Sequence, residues 1–100
     1  MTQTTTTKPQ AATTTRLAPR YRVLIHNDDV TPFDFVERDV CRGIFHLDPS
    51  DAHRVTMEVH NAGLGLVGVY ALEQAEWKCE QTRSLARGRG YPLKVTFEPA

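Results

Sequence analysis

Asn27, Asp28 and Asp29 place one amide oxygen and two carboxylates in succession, immediately before an apolar-periodic stretch. Acceptors at that density suit a cation. A calcium loop of the EF-hand kind needs ligands at alternate positions, a glycine and a closing glutamate; the residues after Asp28 do not follow that order. His46, His53 and His60 recur every seven residues, but Pro49 separates the first from the others and no His-Glu-x-x-His pattern occurs, which argues against zinc. Cys41 and Cys79 have neither metal-type spacing nor the density of a disulfide framework, and read as two reduced, packed thiols. No serine or cysteine lies in a nucleophile turn. No catalytic residue, metal or other cofactor is therefore expected. The cation that remains is an organic ammonium. It has three donors and no acceptor, so it needs acceptors on several sides. An Asn carbonyl, an Asp carboxylate and a neutral imidazole nitrogen would supply them.

Local structure explains part of the surrounding string "HNDDVTPFDF". Thr31 suits a helix N-cap, Pro32 the first turn and Asp34 the closing position of a capping box, while Val30 and Phe35 have the spacing of a hydrophobic staple. On that reading Asn27, Asp28 and Asp29 are not needed for capping. They form either a solvated loop or a cation site.

The elements that must position them follow from periodicity. "YRVLIH" (21–26) reads as a strand. Phe33, Val36, Val40, Ile44 and Leu47 share one helix face over 32–46. A second helix begins with Asp48 as N-cap, Pro49 at its first position and Asp51 completing a capping box. Its apolar side is Ala52, Val55, Met57 or Thr56, and Val59, and Gly63 stops it. "GLGLVGVYA" (63–71) is a second strand. Residues 72–88 form the longest helix, with Leu72, Ala75, Cys79, Thr82 and Leu85 or Ala86 inward; "PLKVTFEP" is a third strand. The order βααβαβ predicts an α/β (α+β) sandwich, a three-stranded sheet with three helices packed on one face.

Composition narrows the function classes. Residues 1–20 hold eight threonines, two prolines, three basic residues and no acid, too little apolar surface to offset the entropy of ordering. They read as a disordered tail without the core of a signal peptide, and 21–100 as the folded domain. The whole chain is neutral; residues 21–100 carry nine basic and twelve acidic side chains, a net −3 that does not favour nucleic acid. No run approaches the ~18 apolar residues of a membrane span. A cytoplasmic protein is expected.

From Tyr21 to Glu98 the chain resembles the ClpS family, adaptors of bacterial Clp proteases that recognise N-terminal degradation signals. The resemblance is carried by "YRVLIHNDDVTPFDFV", "MEVHNAG", "GVYALEQAEWK" and "YPLKVTFE". It implies a binding module and not an enzyme. Asn27, Asp28 and His60 would hold the α-ammonium of a substrate that begins with Leu, Phe, Tyr or Trp, and Asp29 would add negative potential. Thr31, Phe33, Val36, Thr56, Val59 and Leu93 match the hydrophobic pocket for the first side chain. Glu73 and Lys78 match positions that dock a Clp AAA+ unfoldase of the ClpA or ClpC type through its N-domain, and the tail would take part in delivery.

The chain departs from the family in ways that bear on this reading. Phe33 and Thr56 stand where members usually carry methionine, an adaptable gap filler, so the pocket is expected to be narrower or differently ordered in its preferences. The first helix has one residue more than the family pattern between Val36 and the second helix. An inserted residue rotates a helix by about 100°, and the slack is expected near Gly43 or in the 46–48 turn. Ala71 replaces the usual capping threonine of the third helix. If His60 binds as a neutral ring, affinity is expected to fall below about pH 6, because free imidazole titrates near ~6.5. The alternatives are an unfoldase-binding modulator whose altered pocket takes no N-terminal residue, an enzyme or metal protein, and a structural domain of ribosomal type.

Overall fold

The computed structural model describes residues 18–100. The expected disordered tail lies outside the described residues, apart from its last three. The last of these, Arg20, already opens the first strand.

Strand β1 (Arg20–His26) is the middle of the sheet. It pairs antiparallel with β2 (Leu64–Ala71) on one side and β3 (Lys94–Pro99) on the other. Its Val23 and Ile25 are fully buried, while Arg22 on the alternate register is exposed. This is the period-2 signature of a sheet covered on one face. Three helices supply the cover: α1 (Phe35–Arg42), α2 (Pro49–Ala62) and α3 (Leu72–Gly88). The predicted element order and architecture hold. Among the described residues no helix is long and apolar enough to cross a membrane.

Helix α2 is the element the sequence specifies most fully. The Asp48 carboxylate accepts from Asp51 N–H at 2.8 Å, Pro49 sits at the start, and Gly63 ends the helix at φ 85°. That left-handed value is nearly free for glycine. Ala52, Val55, Thr56 and Val59 are its buried side, so Thr56 and not Met57 faces inward. In α3 the inner stripe is Ala75, Cys79, Thr82 and Ala86. Leu72, expected inside, is 40% exposed. Its N-cap, Ala71, has no side chain able to cap.

Helix α1 departs from expectation. It is wound as a π-helix throughout Phe35–Arg42. Its end shows the wide i→i+5 bonds of that form: Gly43 N–H to the Arg38 carbonyl at 3.0 Å and Phe45 N–H to that of Val40 at 3.1 Å. The widening extends through Gly43, where the slack of the extra residue is expected. His46, at φ 56°, completes the reversal into α2. The wider winding changes the buried face. Phe35, Val36, Val40, Cys41, Ile44 and Phe45 are buried, whereas Phe33 and Leu47, assigned to the stripe on 3.6-residue spacing, stay half-exposed.

Val30 is 60% exposed and makes no staple on the buried Phe35. Thr31 does not cap α1 either: Asp34 holds the N-cap position, no side chain caps there, and the Thr31 hydroxyl donates upstream, as described next.

Candidate functional site

The loop after β1 is built by Asp28. Its Oδ1 accepts the backbone N–H groups of Val30 (2.8 Å) and Thr31 (2.7 Å), and its Oδ2 accepts the Thr31 hydroxyl (2.8 Å). This is an Asx turn. Burial would raise the Asp28 pKa, but these three hydrogen bonds outweigh it and hold the carboxyl below its ordinary value. Reading Thr31 as the cap hid this role. The Asp-x-x-Thr spacing was the available signal. A carboxylate has about four lone-pair sites, so the three bonds leave one on Oδ2.

One backbone bond sets this loop against α2. Asn27 N–H donates to the Gly63 carbonyl at 3.0 Å, joining the end of β1 to the residue that stops α2. His60, in the last turn of α2, is thereby brought to the same cleft. The cleft has a volume of about 290 Å³ and is lined by two groups. Asn27, Asp28, Asp29 and His60 are its strongly polar members; Thr31, Phe33, Val36, Thr56 and Val59 are the rest of the wall.

Thr56 is 2% exposed, and its hydroxyl donates to the Ala52 carbonyl at 2.7 Å. That leaves the methyl as its contribution to the wall. Beneath it Cys41 Sγ lies 3.9 Å from the Thr56 oxygen, and burial pushes the Cys41 thiol up to about 11. Burial likewise raises Cys79. Neither thiol is a thiolate at neutral pH, so neither is a ready nucleophile. Among the described residues no three His, Cys, Asp or Glu gather as a metal site.

Leu93 is 6% exposed and belongs to the core beside β3, off the cleft lining. Glu73 is exposed in the first turn of α3. Lys78, on the same helix, is half-buried and donates to the Ile44 carbonyl at 2.9 Å.

The family described as "ATP-dependent Clp protease adaptor protein ClpS" matches residues 16–96. The chain belongs to the ClpS family. A ClpS adapter of Maricaulis maris is 45% identical over 91 residues, covering 87% of this chain and 83% of that relative. One from Desulfatibacillum aliphaticivorans is 43% identical over 79 residues, covering 79% of this chain and 75% of its own. The solved structure of Agrobacterium tumefaciens ClpS2 bound to L-phenylalaninamide superposes with a TM-score of 0.77 at 34% identity, over 82% of this chain and 98% of that one. This ClpS chain is accordingly a non-catalytic adaptor of a Clp protease.

Proposed function

We propose that this cytoplasmic adaptor grips the free α-ammonium and bulky hydrophobic side chain of substrates beginning with Leu, Phe, Tyr or Trp, and delivers them to a Clp AAA+ unfoldase. One observation carries the reading. A single cleft is lined by Asn27, Asp28, Asp29 and His60 together with Phe33, Val36 and Val59, and Asp28 keeps one lone-pair site outside its own turn. The ligand of the Agrobacterium relative, L-phenylalaninamide, has both halves of that chemistry: a primary α-amine and a benzyl side chain.

The magnitudes are consistent. Burying a large apolar side chain contributes roughly 1.5–3 kcal/mol, and each charge-assisted hydrogen bond about 1.5–3 kcal/mol. Two such bonds with the side chain, less the cost of immobilising a peptide, correspond to binding in about the micromolar range. Acetylation removes the charge and two donors, leaving acceptors without partners. Delivery would engage the N-domain of a ClpA- or ClpC-type unfoldase through the face that bears Glu73 and Lys78, aided by the N-terminal segment.

A second reading is favoured by Phe33 and Thr56 on the wall: an unfoldase-binding modulator with a narrowed or closed pocket. One titration separates the two. Leu-starting, Phe-starting and N-acetylated peptides are measured against the wild type and Asp28→Ala. Micromolar binding of a free-amine peptide, lost on acetylation and in Asp28→Ala, supports the adaptor. Unfoldase binding without uptake of any of the peptides supports the modulator.

A further inference from the structure

Phe33 is flanked by two imidazoles. Its ring centroid lies 6.1 Å from that of His53 and 6.2 Å from that of His60, at interplanar angles of 61° and 77°. Both are edge-to-face contacts, the arrangement that aromatic quadrupoles favour. The two histidines differ in position. His60 lines the cleft, whereas His53 does not and meets Phe33 from outside the lining. The His53 side chain is 60% exposed, and its one side-chain hydrogen-bonding partner among the described residues is Glu37, whose Oε2 lies 3.3 Å from Nδ1. Glu37 stands on α1, so the chain Glu37–His53–Phe33 braces the start of α1 against α2.

We infer that His53, held by Glu37, is a positioning residue for the selectivity of the cleft: it pins the Phe33 ring and so fixes the shape offered to an incoming first side chain. Phe33 precedes α1 and is half-exposed, so close packing alone does not lock its ring. A wall free to swing adapts to side chains of different width. A braced wall fits one shape best and penalises the others, since selectivity is a difference of affinities and preorganisation sharpens it. Thr56, also on the wall, is itself fixed, since its hydroxyl donates to the Ala52 carbonyl. The consequence is graded affinity among Leu, Phe, Tyr and Trp at the first position.

The inference rests on the cleft taking N-terminal residues, and the experiment separates the two. Four peptides differing only in a first Leu, Phe, Tyr or Trp, and an N-acetylated Phe peptide, are titrated against wild type, His53→Ala, Glu37→Ala and His53→Phe, with thermal midpoints recorded. In His53→Ala the ratio of best to worst affinity shrinks by about threefold to tenfold, while the free amine is still distinguished from the acetylated one. Glu37→Ala shifts the ratio the same way by less. His53→Phe, which keeps an edge on Phe33, restores the wild-type ratio. If no free-amine peptide binds the wild type, the functional reading itself fails. If the wild type binds but His53→Ala weakens all four peptides equally, or leaves their ratios unchanged, His53 is only structural and the inference is overturned. Failure of His53→Phe to restore the ratio likewise overturns the ring brace.

Discussion

The Lys78 ammonium donates to the Ile44 carbonyl at 2.9 Å and lies 5.6 Å from the Phe45 ring centroid and 5.8 Å from that of Tyr70. The residue that matches an unfoldase-docking position thus also ties α3 to the chain leaving α1. Removing it strands a carbonyl and two cation–π contacts. Lys78→Ala is expected to lose about 1–3 kcal/mol of stability in urea titrations, in addition to any effect on docking. A docking defect in this variant at undiminished stability would mean that the internal contacts contribute nothing.

Helix α3 starts at an unhelped N-cap. Ala71 has the extended backbone of a cap, at φ −63° and ψ 156°, but no side-chain acceptor. Serine, threonine or aspartate there would satisfy an orphan N–H, a gain of ~1 kcal/mol. For a domain of this size that raises the thermal midpoint by roughly 4–8 °C. Ala71→Thr and Ala71→Asp are the variants to scan. An unchanged midpoint in both would show that water already serves those N–H groups.

What could and could not be foreseen divides along physical lines. Helix α2 was legible because its start and stop are local chemistry: Asp48, Pro49 and Gly63 act within a turn of their own positions. The strands were legible from β-forming residues in the first, a glycine-spaced apolar run in the second and alternation in the third. The π winding of α1 was not, because a 3.6-residue period puts Phe33 and Leu47 on the buried face and leaves out Phe35, Cys41 and Phe45. Residue types point to the Asn27–Asp29 loop, but the spacing that suits Thr31 as a helix cap hides that its hydroxyl serves Asp28. Whether a hydroxyl donates to a neighbouring carboxylate or accepts from helix N–H groups is settled by geometry that spacing does not carry. Leu93 came from the resemblance, and its place in the core follows from the turn into β3.

Gly65 marks the closest approach of sheet and helix beside the cleft. A Cβ there would stand 2.5 Å from Val59 Cγ2 and 3.1 Å from the Val55 carbonyl oxygen. Val59 is part of the cleft wall. Gly65→Ala is therefore expected to cost about 1–3 kcal/mol by overpacking and to weaken binding of Phe-starting peptides by displacing Val59. Gly88→Ala, where a Cβ meets nothing within 4 Å, serves as control. Equal stability and affinity in the two variants would show that β2 yields without moving α2.

Acid should act on this protein at two separate points. His26, at the end of β1, has its Nε2 2.8 Å from the Thr96 hydroxyl. Burial foremost, then the Lys94 charge, lowers its pKa, against a smaller opposing effect of Glu98. A lowered histidine binds fewer protons folded than unfolded. Its contribution is complete above the unfolded value of about 6.5 and declines as pH falls through that value toward the folded one. Asp28 has the opposite charge type. Its lowered carboxyl adds stability above the ordinary carboxylate range, and that contribution is lost only as pH falls through the folded value. Urea midpoints measured from pH 8 to pH 3 should therefore show a first decline beginning near about pH 6.5 that is reduced in His26→Gln, and a second, below about pH 4, that is reduced in Asp28→Asn. A first decline equally steep in His26→Gln would assign it to another group. Because the Asp28 turn holds through the first step, any loss of peptide affinity near pH 6 must arise elsewhere than in this carboxylate.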